Sequence, residues 1–320
     1  MDASLRWSAL TVGDVEVWER LTTHLATVDR NDEFYSAADL KEELEAHDVD
    51  PTRDTFAVWA GSALVAYGQV WISESLDERG RARCVLGGGV HADWRGQGIG
   101  RELMDRMEAR GTAAASERHP DAPAFFRSDP GRVGSTAESM LRARGYETVR
   151  YFNALARPLT RDDASLTVDV PAGVTLRRPT ADDVAAVHTA HCSAFADHWG
   201  SLPPSAQTWL ERWTAASSRP DVSTIAVGPH GEVLSYALSA EWVPRELYVN
   251  LVGTVPGSRG QGLGAAVLAA TIQAGAESGG YEVIELDVDS ESLTGATRLY
   301  DRLGFTLKYT TSTMYKDAPA

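Results

Sequence analysis

The chain repeats itself once, so any fold it adopts must accommodate the same supersecondary unit twice. Leu10-Thr11-Val12-Gly13-Asp14-Val15 returns as Pro179-Thr180-Ala181-Asp182-Asp183-Val184, an offset of 169 (180 minus 11). Ala57-Val58 and Ala226-Val227 keep that offset, as do Tyr67 and Tyr236. Arg95-Gly96-Gln97-Gly98-Ile99-Gly100 returns as Arg259-Gly260-Gln261-Gly262-Leu263-Gly264 at 164 (259 minus 95), and Gly145-Tyr146 as Gly304-Phe305 at 159 (304 minus 145). The order never changes, and the offset shrinks only where a loop shortens. With 320 residues, each copy is long enough to bury a core of its own. The expected division is a first domain over 1–160 and a second over 171–320. The polar segment Thr160 to Pro171, ending in Pro-Ala-Gly, is the linker candidate.

Each copy predicts the same elements. An N-cap threonine (Thr11, Thr180) precedes an acidic first turn and an apolar-periodic helix. Alternating β-rich runs follow, Thr55 to Ala60 with Leu64 to Ile72, and Ser223 to Val227 with Val233 to Val243, each pair joined through a glycine turn at Gly61 or Gly231. A strand then runs into the glycine loop and an amphipathic helix, and a further strand, helix and β pair close the unit.

The formal charge of −15 argues against polyanionic partners, because nucleic-acid affinity comes from many Lys and Arg contacts to phosphate. No run of eighteen apolar residues and no apolar stretch after Met1 supports a membrane span or a secretory signal, so a cytoplasmic protein is expected. The two cysteines, Cys84 and Cys192, make no disulfide framework. His188-x-x-His191-Cys192 lacks a further ligand in register, and no metal site is expected.

A strand feeding a glycine-rich turn that opens a helix is a device for holding a pyrophosphate. Glycines let the backbone approach closely, and the helix N-terminus offers unsatisfied N–H donors with a partial positive charge. Arg95 and Arg259, just before each turn, would add a cation. A Walker loop needs Gly-Lys-Ser/Thr, whereas Gly100 precedes Arg101-Glu102 and Gly264 precedes Ala265-Ala266. A dinucleotide fingerprint needs Gly-x-Gly-x-x-Gly on an early strand, and here the spacing is Gly-x-Gly-x-Gly after two hairpin strands.

The combination of Arg-Gly-Gln-Gly-x-Gly after a strand with Leu299-Tyr300-x-x-x-Gly304-Phe305 downstream resembles the GNAT N-acetyltransferases, once per half. The resemblance implies an α/β (mixed α+β) chain of two tandem GNAT folds. Each would be a mostly antiparallel six- to seven-stranded sheet with splayed central strands flanked by helices, admitting acetyl-CoA or another acyl-CoA. It places backbone groups of Val252, Gly253 and Thr254 along the acyl-pantetheine arm and the pyrophosphate on Arg259, Gly260, Gln261, Gly262, Leu263 and Gly264. In the first half the matching positions are Gly88, Gly89 and Val90, with Arg95, Gly96, Gln97, Gly98, Ile99 and Gly100. Ser292 stands where relatives carry an asparagine that touches the cofactor arm.

The resemblance also assigns chemistry. Glu246, thirteen residues before Arg259 (259 minus 246), stands at the position of the family's base, and Tyr300 at that of its acid. Glu246 reads equally as a solvated strand-edge carboxylate, and Tyr300 as a packing aromatic beside Leu299 and Leu303. The first half offers Ala82 and Leu141 at the matching places and is expected to be non-catalytic. Phe195, Trp199, Trp209, Trp213 and Trp242 form either an acceptor wall or ordinary core. The implied reaction is direct acetyl transfer to a primary amine of a small molecule, by a monomer or homodimer. The arrangement is also similar to that of mycothiol synthases, which implies a cysteinyl amine as one alternative acceptor. A catalytically silent acyl-CoA-binding sensor is the alternative from another class.

Overall fold

The two copies open with identical turn chemistry. Thr11 N–H donates to Asp14 Oδ2 at 2.9 Å and Thr180 N–H to Asp183 Oδ2 at 2.8 Å, closing a capping box before the first long helix of each half. A third such box, Thr160 with Asp163, sits in the segment expected to be the linker. Arg177 grips Asp183 through two 2.7 Å hydrogen bonds, which hold that carboxyl far below the usual carboxylate range.

A computed structural model describes residues 5–291 and 296–319. It divides into two units: the first is Met1–Tyr151 with Thr310–Ala320, the second Phe152–Tyr309. The first unit runs β1 (Arg6–Ser8), α1 (Val15–Asp29), α2 (Ala37–Glu45), α3 (Pro51–Asp54), β2 (Thr55–Ala60), β3 (Ala63–Ile72), β4 (Ala82–Val90), α4 (Ile99–Arg118), β5 (Ala124–Ser128), α5 (Thr136–Ala143) and the start of β6 (Glu147–Pro158). The second continues with the rest of β6, then β7 (Thr175–Arg177), α6 (Val184–Ala194), α7 (Ala206–Thr214), β8 (Thr224–Val227), β9 (Val233–Ala240), β10 (Glu246–Thr254), α8 (Leu263–Ser278), β11 (Val283–Asp289), α9 (Ala296–Arg302) and the start of β12 (Thr306–Asp317).

Within the first unit the strand order is β1-β2-β3-β4-β5, and the far edge of β5 is closed by β12, with Met314 opposite Ser128 and Asp317 opposite Phe125. Within the second it is β7-β8-β9-β10-β11, closed by β6, with Val283 opposite Pro158 and Asp289 opposite Phe152. All pairs are antiparallel except β4 with β5 and β10 with β11. The closing strand of each sheet therefore comes from the other repeat. This differs from the expected cut at 160–171. An edge strand with unpaired N–H and C=O groups needs a partner, and the long β6 and β12 each serve both units. The expected linker is also partly ordered: Arg161–Ser165 form a 3₁₀ turn held by Gln273, whose Nε2 donates to the Ala164 carbonyl at 3.1 Å.

Each sheet is packed on both faces. In the first unit, Trp18, Leu21 and Leu25 of α1 and Leu40 and Leu44 of α2 cover Ala57, Trp59 and Leu64, while Leu103, Met104 and Met107 of α4 cover Cys84, Leu86 and Phe126. In the second, α8 sets Leu263, Val267, Leu268 and Ile272 on Leu247, Val249, Ile284 and Leu286, and Val187, Ala190 and Trp209 pack on Ile225 and Tyr236. Each fully buried leucine contributes about 1.5–3 kcal/mol over exposure. No helix among the described residues is long and apolar enough to cross a membrane.

Candidate functional site

The central parallel pair of each sheet separates after a few residues. In the second unit β10 and β11 are in register from Glu246 opposite Val283 to Tyr248 opposite Glu285, while β10 continues to Thr254 and β11 to Asp289. In the first, β4 and β5 are in register from Ala82 opposite Ala124 to Val85 opposite Arg127, and β4 runs on to Val90. Past the split, one edge of Val252, Gly253 and Thr254 pairs with β9, opposite Ala237, Tyr236 and Ser235. The strand also carries a bulge between Val249 and Leu251, which re-aims Asn250.

Both splayed strands lead into the same loop. Gly96 and Gly98 have φ of 76° and 87°, and Gly260 and Gly262 of 75° and 82°, the left-handed region that favours glycine. Gly98 and Gly262 are the N-caps of α4 and α8 and neither supplies a side-chain cap, so the first-turn N–H groups stay open to an anion. A Cβ built on any of the four glycines would meet nothing within 4 Å. The loops thus form an open cradle of N–H donors, which fits a pyrophosphate. The loop glutamines brace it from within: Gln97 Nε2 donates to the Asp93 carbonyl at 3.2 Å and Gln261 Nε2 to the Gly257 carbonyl at 3.3 Å. Gly264 and Gly100 close the floor, each facing matched neighbours: Thr254 and Leu299 in one unit, Val90 and Met140 in the other.

Both arginines are engaged within the protein. Arg95 donates to both oxygens of Asp29 at 2.8 and 2.7 Å and from Nε to the Val90 carbonyl at 2.9 Å. Arg259 donates to both oxygens of Asp197 at 2.6 and 2.9 Å and to the Ala194 carbonyl at 2.8 Å. Each charge is matched bidentately by an aspartate at the end of the first long helix, so the guanidinium ties that helix to the loop. Asp29 and Asp197 stand in no motif, and the offset of 168 (197 minus 29) is the signal that could have found them.

Glycines 253 and 89 serve packing as well as any cofactor arm. A Cβ on Gly253 would fall 2.4 Å from the Tyr236 hydroxyl, and one on Gly89 would fall 2.4 Å from Leu25 Cδ1. Gly88 has φ of 149°, and its Cβ would strike the Tyr67 carbonyl at 2.4 Å. The Tyr236 hydroxyl lies 2.7 Å from His191 Nδ1, and His191 stacks on Trp209 with ring centroids 4.8 Å apart. Burial pushes His191 down to about 4, with Arg212 and His188 adding to the shift. His188 is held by the Pro204 carbonyl at 2.9 Å, so the two histidines serve the helix core.

A cavity of about 350 Å³ opens in the second unit, walled by Trp209, Trp213 and Trp242 and, from β10, by Asn250 and Leu251. Of the aromatics singled out in the sequence, these three tryptophans face it, whereas Trp199 lies 6.4 Å from Phe152 by ring centroid. Asn250 joins the cavity to the split between β10 and β11. At the same split the Tyr248 hydroxyl hydrogen-bonds Asp287 on β11, while its ring lies 5.1 Å from Trp242; burial, with Asp287 adding, drives Tyr248 well above its usual range. Asn250, Tyr248 and Asp287 escaped the sequence reading because a bulge and a strand divergence leave no local pattern.

Glu246 sits at the start of β10 on the paired side of the split, half-buried, with its N–H on the Val243 carbonyl, and it is not among the residues lining the cavity. Tyr300 lies on α9 in the core with Leu263, Leu286, Val288 and Phe305, 7% exposed, and burial alone pushes its hydroxyl up to about 12. Ser292 lies outside the described residues.

The model of the acetyltransferase (GNAT) family matches residues 18–119 and 184–305, one stretch in each unit. The chain belongs to this family. It is 31% identical over 277 residues to the mycothiol acetyltransferase of Salinispora tropica, covering 80% of this chain and 78% of that one. It is 33% identical over 238 residues to that of Thermobispora bispora, covering 71% and 74%. Among solved structures it resembles a GCN5-related N-acetyltransferase from Sphaerobacter thermophilus (TM-score 0.75, 23% identity, 100% and 97% coverage) and a tandem GNAT protein from the clavulanic acid biosynthesis pathway (TM-score 0.73, 16% identity, 99% of each chain). These two likenesses carry the fold: a tandem GNAT arrangement, mixed α/β with mostly antiparallel sheets. As a GNAT acetyltransferase the protein is an acyltransferase, and members of this family use acyl-CoA.

The two GNAT units differ where their strands split. In the first, Ser128 Oγ donates to the Leu86 carbonyl at 3.0 Å across the gap. The matching residues of the second are Asp287 (287 minus 128 is 159) and Asn250 (250 minus 86 is 164), and Asp287 is exposed.

Proposed function

We propose that the second unit transfers the acetyl group of acetyl-CoA to a primary amine of a small molecule that binds in the tryptophan-walled cavity. The observation that carries this reading is the meeting of that cavity with the stretch of β10 that has parted from β11, at Asn250 and Leu251. The Gly260–Gly264 cradle would hold the pyrophosphate, and acetyl-CoA supplies the activated acyl group. Backbone N–H groups past the split can take the charge that builds on the carbonyl oxygen. The amine nitrogen attacks the thioester carbon, the C–S bond breaks, Glu246 accepts the proton lost by the amine, and Tyr300 returns a proton to the departing sulfur. A hydroxyl pushed up to about 12 holds its proton at neutral pH, as an acid must before it acts.

The test is release of CoA thiol from acetyl-CoA across a library of small amines, beside thermal melting with acetyl-CoA. Amine-dependent release and stabilisation of about 2.7 kcal/mol at a hundredfold excess over Kd are expected. No stabilisation together with no release would overturn the proposal. The names of the relatives at 31% and 33% identity support a cysteinyl amine as the acceptor to try first. Preference for a cysteinyl-amine substrate over its hydroxyl analogue would select that reading.

A further inference from the structure

The tryptophan-walled cavity has one pole of charge. Trp209, Arg212 and Trp213 stand at i, i+3 and i+4 on α7, so a single helix face brings a guanidinium and two indoles to the cavity. Among the described lining residues Arg212 is the charged one, while β9 contributes Ser239 and β10 Asn250.

Ser239 is 3% exposed, and its hydroxyl finds no hydrogen-bond partner. Its backbone is satisfied, the N–H donating to Ser223 Oγ at 2.9 Å and the carbonyl accepting from the Arg219 N–H at 2.9 Å, so the hydroxyl alone is left over. The fold does not require it. Ser36 caps α2 as Ser205 caps α7 at an offset of 169 (205 minus 36), and by that offset Ser239 corresponds to Val70, buried in the core of the first unit. The same offset sets the buried Leu40 and Leu44 against Trp209 and Trp213, and Glu43 against Arg212. Aliphatic packing in the first unit thus occupies the places where the second keeps two indoles and an unpaired hydroxyl beside a hollow, and the charge is reversed.

A guanidinium and a hydroxyl proton both seek an acceptor atom, and a carboxylate takes hydrogen bonds from both at once. The reacting amine has to reach the split, where Asn250 lies, so the anionic group belongs at the other end of the molecule, toward α7. A hollow of about 350 Å³ lies near the small end of ligand sites, which leaves room for only a few bonds between the two ends.

We propose, on the reading that the second unit acetylates an amine in this cavity, that its acceptor is a small amino carboxylate with an apolar side chain. Arg212 and the Ser239 hydroxyl hold the carboxylate, the indoles of Trp209, Trp213 and Trp242 cover the side chain, and the amine is left at Asn250. Ser239 reaches the carboxylate by turning about its Cα–Cβ bond from one staggered position to another.

The probes are matched pairs, L-phenylalanine with L-phenylalaninamide and S-methyl-L-cysteine with its amide, titrated calorimetrically into the full chain with and without CoA. At pH 6 the α-amino group of each is protonated, its ordinary pKa being about 7.7–8.0, so the members of a pair differ in the carboxylate. Each acid should bind roughly tenfold more tightly than its amide, the margin of a charge-assisted contact over a neutral one. Arg212→Gln should erase that margin and Arg212→Lys should keep part of it. Ser239→Ala should weaken the acids several-fold without lowering the melting temperature, because the hydroxyl it removes has no partner to lose. Acids that bind no better than amides, or a margin that survives Arg212→Gln, would overturn the proposal. So would the absence of heat from any acid up to about 50 mM, far above a millimolar Kd. Release of CoA thiol from acetyl-CoA with the same pairs separates this site from the reaction it serves. Equal turnover of acid and amide would leave acetyl transfer standing and overturn the carboxylate site. Acids bound through Arg212, with no release from any amine, would support the carboxylate site and overturn acetyl transfer.

Discussion

Two units share a backbone down to the register of a tyrosine against a glycine, and part company in the side chains around their splayed strands. The first bridges its split with Ser128 on the Leu86 carbonyl, presses Leu25 against Gly89 and offers Leu141 where the second has Tyr300. The second leaves Asp287 exposed, opens a cavity at Asn250 and sets three tryptophans around it. The glycine cradles are nearly superposable in φ. The cradles therefore do not tell the two copies apart, and the residues across the split do.

The strongest way to break this comparison is to spoil each cradle in turn. Gly262→Val should abolish acetyl transfer, because a branched side chain at φ of 82° costs of order 1–3 kcal/mol in the loop and fills the cradle. Gly98→Val, at φ of 87°, should leave most of the turnover and lower the number of acetyl-CoA molecules bound, counted by calorimetry. Inactivity of Gly98→Val would reverse the assignment of the working unit.

Next in size is Tyr300→Phe, which keeps the ring against Phe305 and removes the hydroxyl. Turnover should fall roughly 10²-fold with little change in acetyl-CoA affinity. An unchanged kcat, where chemistry limits the rate, would make Tyr300 a packing residue. Asn250→Leu imports the first unit's residue and should lower kcat/KM for the amine roughly tenfold while leaving acetyl-CoA binding intact, the pattern of a lost acceptor contact. An unaltered kcat/KM would detach the bulge from acceptor binding.

The smallest effect is a difference in pH response. His191 is held at about 4 against an ordinary value of 6.5, so the unfolded chain binds more protons and stability falls as pH drops from 6.5 towards 4. Glu43 is raised from 4.5 to about 7, so the native state binds more protons and stability falls as pH rises from 4.5 towards 7. Each slope is at most about 1.4 kcal/mol per pH unit. Melting temperatures of His191→Phe should be less acid-sensitive than wild type, and those of Glu43→Gln less sensitive to rising pH. Parallel pH profiles for all three proteins would remove both groups from the account.

The repeat made the fold and both cradles legible, because a glycine at positive φ and a threonine–aspartate box leave the same mark in sequence and backbone. The Leu-Tyr-x-x-x-Gly-Phe context singles out Tyr300 as a candidate, whereas the pairing of Arg259 with Asp197 spans 62 residues and has no local pattern. Asn250 depends on a bulge, and Tyr248 with Asp287 on two strands running parallel, neither of which a period-2 reading displays. The division at Tyr151 was hidden because β6 and β12 are single long strands whose two ends lie in different units.

That shared use of β6 and β12 sets an order of events at the ribosome. Residues 310–317 emerge after the whole second unit has been made, so β5 waits through roughly 180 further residues for the strand that covers its edge. At about 5–20 residues per second this is an interval of some ten to forty seconds. The first repeat must survive that time with an open sheet edge exposed to other nascent chains. A chain halted at residue 309 would keep the glycine cradle of its second unit and still leave the first unable to close.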